Sequence, residues 1–191
     1  MNKQDLTKRL SLSVLPLNFN IDSKNNSLSK ISSVLVILHY RNQTPHILLT
    51  KRASHLSRHQ NEISFPGGKF VESDDNIINT AIRETYEEIG LSICYNDILG
   101  RLNPVHTLQS NFLIIPYVTV QNEVIIDNEF TNSEVAKVID VPLFELLDTI
   151  QRDHIHDTKD LKAIKFSFED HVIWGATARI ISQLHKILFQ L

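Results

Sequence analysis

Residues 65–90 read FPGGKFVESDDNIINTAIRETYEEIG and hold three of the five glycines and six of the 22 acidic residues of this 191-residue chain. Apolar residues recur at helical spacing over residues 73–89, which predicts an amphipathic helix. Ser73 or Asp74 is placed to cap the start of this helix, and Gly90 is placed to end it. We therefore expect one helix with a well-defined end at the centre of the informative segment.

The predicted helix has two distinct faces. At about 100° per residue, one stripe is expected to face the core, and its members are Ile78, Ala81, Ile82, Thr85 and Ile89. Glu84, Glu87 and Glu88 fall on the adjoining stripe at spacings i, i+3 and i+4. Arg83 can pair with Glu87, but one cation does not balance three carboxylates. The flank of the helix therefore presents three acidic groups within about one turn.

These clustered carboxylates admit two interpretations. Like charges at this spacing repel, so a bound divalent cation would stabilise them, and carboxylates are suitable ligands for Mg²⁺ or Mn²⁺. The alternative is a solvated acidic face of a surface helix. Gly67 and Gly68 precede the helix, and two adjacent glycines let the backbone approach a metal or ligand closely. A plain tight turn would also explain the two glycines.

The whole segment resembles the signature of the Nudix hydrolases, which is a glycine, a spaced acidic residue and then R-E-x-x-E-E-x-G, matched in full at residues 83–90. The spaced acidic residue is Asp74 or Asp75, where most members have glutamate. Arg83 follows Gly68 by fifteen residues, one more than the common spacing. The resemblance implies an α+β fold, a Nudix-like α/β/α sandwich with a mixed β-sheet between helices. It also implies an enzyme that hydrolyses diphosphates linked to another moiety with divalent metals.

The residues ahead of the signature are similar to the extra motif of the Nudix coenzyme A pyrophosphatases. Residues 48–69 read LLTKRASHLSRHQNEISFPGGK. Further similarity lies in residues 133–143 (SEVAKVIDVPL) and 171–181 (HVIWGATARII). Ser57 stands where this subfamily usually has arginine, and Asn61 stands where it usually has glycine. Asparagine tolerates a left-handed backbone better than most residues, so we expect the turn at Asn61 to form.

Roles within the signature follow from the resemblance. Glu84, Glu87 and Glu88 match the metal-binding glutamates of the family. Gly68 is expected to add its backbone carbonyl to the same metal site. Arg83 is expected to orient the carboxylates rather than to touch substrate. The implied mechanism is metal-assisted attack of water on a diphosphate phosphorus.

The general base is left open by the sequence. In this superfamily it is sometimes a glutamate of the helix and sometimes a glutamate from a later loop. Glu134 is the loop candidate here, and a solvated surface charge is the alternative for that residue.

Basic residues concentrate just ahead of the glycine turn. Arg52 and Arg58, with Lys51, are expected to bind substrate phosphates, because the resemblance places them in the extra motif and arginine makes bidentate contacts with phosphate. A surface loop that balances the acidic helix is the alternative. His55 and His59 lie in the same segment and receive no role.

The rest of the chain predicts a mixed α and β domain. Strands are predicted at residues 34–38, 46–51, 112–120 and 163–168. Helices are predicted at residues 2–10 and 176–191, the second covering the sheet. We expect residues 1–30 to form an N-terminal extension of helix and loop, and residues 31–191 to form the Nudix hydrolase domain.

Composition excludes several classes of protein. A single cysteine excludes an intrachain disulfide framework and a cysteine-based zinc site. The balance of 19 basic and 22 acidic residues gives no support for general nucleic-acid binding. No stretch approaches the ~18 apolar residues of a membrane span. We therefore expect a cytoplasmic protein whose partner is a small molecule, neither a nucleic acid nor a membrane, and which is a monomer or a homodimer.

Three functions remain under consideration. The first is hydrolysis of coenzyme A or its derivatives to 3′,5′-ADP and phosphopantetheine, with Mg²⁺ or Mn²⁺ as cofactor. The second is hydrolysis of another nucleoside diphosphate derivative such as ADP-ribose, which the substitution at Ser57 keeps open. The third is a Nudix module that binds a nucleotide without cleaving it. The presence of all three mutually repelling glutamates disfavours this third function, because a site that no longer catalyses hydrolysis would have little reason to retain them.

A second group of potential metal ligands lies at residues 153–157. His154 and His156 form an H-x-H pair with Asp153 and Asp157 beside them. A metal site is one interpretation, but the polar neighbours of the pair favour a solvated loop. Trp174 is expected to have a structural role beneath the last helix.

Overall fold

The computed structural model describes residues 1–19, 30–56, 60–108, 110–126, 130, 133–158 and 163–189. The helices of this part of the chain are α1 (Lys3–Ser11), α2 (Ile77–Ile89), α3 (Leu143–Asp148) and α4 (Gly175–Phe189). The first seven strands are β1 (Ile31–Arg41), β2 (Thr44–Arg52), β3 (Ile63–Ser64), β4 (Gly67–Lys69), β5 (Ile98–Arg101), β6 (Val105–His106) and β7 (Leu113–Val120). They are followed by β8 (Val135–Pro142), β9 (Gln151–Arg152), β10 (Ile164–Phe168) and β11 (His171–Ile173).

A mixed sheet organises the molecule. Its strand order is β3–β2–β1–β7–β5, and β8 also pairs with β2, β4 with β1 and β6 with β7. Within the described chain, β1 and β7 run parallel, whereas the other pairs of this sheet are antiparallel. β9, β10 and β11 form a separate small antiparallel sheet. β1 and β2 form an antiparallel hairpin, in which Arg41 pairs with Thr44.

Helices cover both faces of the mixed sheet. One core joins α2 to residues of β1, β2 and β7 such as Ile37, Leu48 and Tyr117. The other core joins α1, α3 and α4 to the opposite side chains of the same strands, among them Leu38 and Leu49. Successive residues of a strand point to opposite faces, so the apolar runs in β1 and β2 supply both cores. The predicted α+β sandwich with a mixed sheet between helices is confirmed.

The N-terminal helix belongs to the larger of these cores. Leu6 and Leu10 of α1 are fully buried and pack in the same cluster as Leu184 of α4. Arg9 donates a hydrogen bond from Nε to the carbonyl of Ile187 at 3.1 Å. The described part of residues 1–30 is therefore packed on the domain rather than detached from it.

The start of α2 differs from the predicted one. The sequence predicts a cap at Ser73 or Asp74, but α2 begins at Ile77 and its N-cap is Asn76, whose side chain accepts from Asn79 N–H at 2.9 Å. Residues 72–74 instead form a 3₁₀ turn. The Asp74 carboxylate is engaged elsewhere, as described below, and is not available to cap the helix.

Two backbone predictions at special positions are confirmed. Gly90 ends α2 in the left-handed conformation with φ of 69°. Asn61 also has a left-handed backbone, with φ of 58°, so asparagine does serve at this turn. Within the described residues, none of the helices combines the length and apolarity that crossing a membrane requires.

Candidate active site

The glycine turn and α2 meet at the mixed sheet. β4 pairs with β1, with Gly67 opposite Val34 and Gly68 opposite Ser33, and this pairing fixes the turn. Gly67 donates its backbone N–H to the Glu88 carboxylate at 3.0 Å. A side chain at Gly68 would overlap the carboxyl group of Glu84. Two of the predicted metal ligands therefore lie directly against the turn, and the absence of a side chain there makes room for one of them.

The three glutamates of α2 differ in exposure. Glu87 has a side chain that is 52% exposed, the side chain of Glu84 is 20% exposed, and Glu88 is buried. Burial raises the pKa of Glu88 to about 7, and the negative charge of Glu84 adds to this effect. Burial also raises the pKa of Glu84, with Arg83 opposing the shift. The site thus holds carboxylates whose charge the surrounding protein only partly compensates.

Arg83 ties the helix to the preceding turn. Its Nε lies 2.7 Å from Oδ1 of Asp74, and its Nη1 lies 2.9 Å from Glu84 and 2.7 Å from Glu87. Asp74 is buried and also accepts from the Thr80 hydroxyl at 2.7 Å. The hydrogen bonds from Arg83 hold the pKa of Asp74 below its usual value. Of the two candidates for the spaced acidic residue, Asp74 rather than Asp75 is therefore the one that pairs with Arg83.

The donor set fits a divalent cation. Carboxylate and backbone carbonyl oxygens are the ligands that Mg²⁺ and Mn²⁺ prefer, and the buried Glu88 carboxylate lacks full compensation. The carboxylates of Glu84, Glu87 and Glu88 are not all within 4.8 Å of one another. Arg83 is paired with Glu84 and Glu87 instead. Gathering all three around an ion would require some of these Arg83 contacts to be exchanged.

Arg52 and Glu134 lie beside the glutamates. Nη2 of Arg52 is 3.4 Å from the Glu134 carboxylate, and the Ala53 N–H donates to the Glu134 carbonyl at 2.8 Å. After burial, smaller contributions to the pKa of Glu88 come from both residues: Arg52 lowers it and Glu134 raises it. Nε of Arg52 is buried and has no hydrogen-bond partner in the described structure. One basic and one acidic side chain from outside the signature therefore reach the site.

The remaining predicted substrate ligands are placed differently. Lys51 precedes Arg52 on β2, so strand alternation turns its side chain to the opposite face of the sheet. Arg58, together with Ser57 and His59, lies outside the described residues.

Sequence reasoning missed one polar cluster on the α2 face of the sheet. His39 Nε2 lies 2.8 Å and His46 Nδ1 lies 2.9 Å from the same carboxylate oxygen of Asp140. His39 and His46 are buried. The signals were His39 after the apolar run of β1 and Asp140 between two apolar residues of β8, but nothing local shows that they meet.

The H-x-H pair has a local structural role. His156 Nδ1 lies 2.7 Å from the buried carboxylate of Asp153, and its ring stacks on Trp174 with centroids 4.2 Å apart. His154 is 78% exposed at its side chain, as a solvated loop predicts. Trp174 therefore packs against this loop as well as leading into α4.

Comparison with known proteins identifies the family. A model described as the NUDIX domain matches residues 30–161. The chain belongs to the Nudix family. A relative in Yersinia pestis (strain Pestoides F), described as an uncharacterized Nudix hydrolase NudL, is 36% identical over 146 residues, covering 73% of this chain and 71% of the relative. A NudL protein of Yersinia pseudotuberculosis serotype O:1b shows the same identity and coverage.

Solved structures share the Nudix fold. The NUDIX domain of Shewanella oneidensis NrtR, in complex with ADP ribose, aligns with a TM-score of 0.59 at 18% identity, covering 88% of this chain and 94% of that one. A MutT/nudix family protein from Enterococcus faecalis aligns with a TM-score of 0.59 at 16% identity, covering 97% and 69%. Membership of the Nudix family supports hydrolysis of nucleoside diphosphate derivatives with divalent metal ions.

Proposed function

We propose that this Nudix protein hydrolyses the diphosphate bond of coenzyme A or its derivatives, giving 3′,5′-ADP and phosphopantetheine or its acylated form. The observation that carries the proposal is the buried Glu88 carboxylate against the Gly67 N–H, with Arg52 beside it. Residues 48–69, which include Arg52, are similar to the extra motif of the coenzyme A pyrophosphatases. The proposed product pair follows from cleavage between the two phosphorus atoms.

The proposed metal ligands are Glu84, Glu87, Glu88 and the backbone carbonyl of Gly68, holding Mg²⁺ or Mn²⁺. A divalent cation in such a site stabilises the charge that develops on the diphosphate and lowers the pKa of bound water. Arg83 is the proposed positioning residue, because its bond to the buried Asp74 anchors its guanidinium beside Glu84 and Glu87. When no metal is bound, the contacts of Arg83 with Glu84 and Glu87 also reduce the repulsion among the glutamates of α2.

Glu134 is the proposed general base. It takes a proton from the water whose oxygen attacks phosphorus, while the bond from that phosphorus to the bridging oxygen breaks and the other phosphate leaves. Its support is the proximity of Glu134 to Arg52 and its electrostatic influence on Glu84 and Glu88. Arg52 and Arg58 are the proposed phosphate ligands, because arginine makes paired contacts with phosphate oxygens. The predicted ligand Lys51 is not among them, since its side chain lies on the opposite face of the sheet.

A chromatographic product assay tests the proposal. The pure protein is incubated with coenzyme A, with and without Mg²⁺ or Mn²⁺, and ADP-ribose is run in parallel. We expect metal-dependent release of 3′,5′-ADP from coenzyme A. Cleavage of ADP-ribose with no cleavage of coenzyme A would contradict the substrate and retain the hydrolase.

ADP-ribose hydrolysis is the second candidate function. It is favoured by Ser57, which stands where the coenzyme A subfamily usually has arginine. It is also favoured by the ADP ribose bound to the structurally similar NrtR domain. Absence of cleavage in both arms of the assay would favour the third function, nucleotide binding without hydrolysis. We expect the first outcome because the glutamates of α2 are intact.

A further inference from the structure

A cavity of about 540 Å³ opens beside Glu88 on the α2 face of the sheet. Its lining includes Glu88 and Ile89 of α2, the chain after β7 at Val124, and residues of β8 among which are Val135 and Asp140. The Val135 end of β8 pairs with Arg52, the residue next to Glu88. Four residues of strand lie between Val135 and Asp140, which are therefore roughly 16 Å apart. The cavity therefore leads from the proposed metal site to a remote polar group, and its volume suits a small organic ligand.

Asp140 is held firmly at the far part of this cavity. His39 and His46 both contact one of its carboxylate oxygens, at 2.8 Å and 2.9 Å. Although burial alone would raise its pKa, the hydrogen bonds from His39 and His46 keep the pKa of Asp140 below its usual value. The carboxylate is thus an oriented, ionised hydrogen-bond acceptor in the wall of the cavity.

The tautomer of His39 argues against a metal at this cluster. The Val124 backbone N–H donates to Nδ1 of His39 at 3.3 Å, which leaves the ring proton on Nε2. Nε2 is the atom that faces Asp140, so it is a donor to the carboxylate and has no lone pair for an ion. The two histidines serve Asp140 rather than a cation.

The Asp140 side chain is 24% exposed and lines the cavity. Its second carboxylate oxygen lies 3.4 Å from Nη1 of Arg41, a long contact made by a side chain that is 59% exposed. Arg41 and Asp140 both line the cavity, and they present a donor and an acceptor side by side. Apolar walls with such a polar pair suit a planar group with polar edges, which is the chemistry of a nucleobase.

We propose that this cavity receives the base of the nucleotide substrate, and that Asp140 selects a base whose edge carries an amino group, as adenine does. The amino group donates to Asp140, and Arg41 donates to the neighbouring ring nitrogen. A base with a carbonyl at the same position, such as hypoxanthine, directs an acceptor at the fixed carboxylate and is disfavoured. This inference rests on the proposed function, because it takes the diphosphate to lie at Glu88.

Calorimetric binding of adenosine 3′,5′-bisphosphate and inosine 3′,5′-bisphosphate tests the inference. We expect the wild-type protein to bind the adenosine compound at least about tenfold more tightly. Asp140→Asn is expected to reduce this preference to within about threefold, because an amide can both donate and accept. Glu123→Gln removes one negative charge from the same cavity and is expected to change both affinities alike.

The inference is overturned if the wild-type protein binds the adenosine and inosine compounds with nearly equal affinity. It is also overturned if the ratio of the two affinities is unchanged in Asp140→Asn. If Asp140→Asn does not fold, Arg41→Gln at the exposed partner is expected to lower the preference instead, and an unchanged ratio contradicts the base subsite. Hydrolysis of coenzyme A measured on the same samples separates the two claims. Cleavage without base preference retains the proposed function and rejects the role of Asp140. Base preference without cleavage rejects the proposed function and retains the subsite.

Discussion

Glu88 is the glutamate of α2 that burial most disfavours in its charged form, although its proposed role as a metal ligand requires that charge. Its carboxylate lies in a buried position, accepts from the Gly67 N–H, and has a pKa raised to about 7. A buried ionised group persists when something else compensates its charge. A cation at this position would do so, which is why the residue is informative about the site.

Glu88→Gln is expected to lower kcat for the proposed hydrolysis by at least about a hundredfold, because it removes the charge of a proposed metal ligand. Gln can still accept from the Gly67 N–H, so the circular dichroism spectrum is expected to stay unchanged. Steady-state kinetics with coenzyme A and Mn²⁺ measures the effect. Glu72→Gln, which neutralises an exposed glutamate in the 3₁₀ turn, is the matched control and is expected to retain the wild-type rate. A normal rate in Glu88→Gln would remove this residue from the metal site.

Gly67 and Gly68 are expected to respond differently to replacement by alanine, because the added Cβ would contact different groups. At Gly68 an added Cβ meets the end of the flexible Glu84 side chain, which can move away. Gly68→Ala should therefore lower kcat or metal affinity and leave the free energy of unfolding nearly unchanged. At Gly67, where φ is 150°, the Cβ meets the backbone of Ser33 and Val34. Gly67→Ala should therefore destabilise the protein by at least about 2 kcal/mol.

Urea unfolding and metal-dependent kinetics on the two alanine variants distinguish these effects. Equal loss of stability in both variants would show that Glu84 cannot yield and that the turn is a structural unit alone. Full activity in Gly68→Ala would show that the position of the Glu84 carboxylate does not matter for turnover.

At the scale of elements, the 3₁₀ turn and α2 are joined through Asp74. Its carboxylate accepts from Arg83 at 2.7 Å and 3.0 Å in partly buried hydrogen bonds, and from Thr80 at 2.7 Å in a buried one. Breaking one partner of a buried ion pair leaves the other uncompensated. The connection therefore fixes how the glycine turn sits against the helix that carries the glutamates.

Asp74→Asn is expected to destabilise the protein by about 2 kcal/mol at pH 7, since Arg83 loses its buried partner. The pKa of Asp74 is lowered by folding, so its contribution is present above the unfolded value of about 3.9 and is lost as pH falls through the lower folded pKa. The stability difference between wild type and variant should be constant above about pH 5 and should shrink below about pH 4. Guanidinium unfolding at several pH values measures it. Asp75→Asn, at an exposed neighbour with φ of 58°, is the control, and a pH-independent difference for Asp74→Asn would contradict the ion-pair account.

Sequence patterns predicted those elements whose signals are local. The apolar stripe of α2, its end at Gly90 and the strands of the central hairpin follow from spacing within one or two turns or one strand. The predicted start of α2 is wrong because Arg83, nine residues after Asp74, engages the Asp74 carboxylate and leaves it unable to cap the helix. Asp140 was missed because its partners His39 and His46 are 101 and 94 residues away in the chain. Contacts of that range depend on how β8 pairs with β2, which no local pattern reveals.

At the scale of the whole molecule, the candidate site lies on one face of the sheet and most of the helices pack on the other. The α2 face carries the glutamates, the cavity and Asp140, while α1, α3 and α4 fill the other face. The two faces share the strands between them, so a loss of packing on the supporting side is transmitted as lost stability of the sheet that positions the site. The N-terminal helix is the clearest test of this relation, because sequence alone suggested an extension.

Leu6→Ala is expected to cost about 2–4 kcal/mol, because Leu6 is fully buried in the core that α1 shares with α4. Leu12→Ala, at the end of the same helix, is the matched control, since Leu12 is 80% exposed and its loss should cost less than about 0.5 kcal/mol. Both variants are expected to keep the wild-type KM for the proposed substrate, because neither residue lies near the α2 face. Urea midpoints at a common m-value measure the difference. Equal midpoints for Leu6→Ala and wild type would mean that α1 is a dispensable extension, whereas the expected loss makes residues 3–11 part of the domain that holds the active site in place.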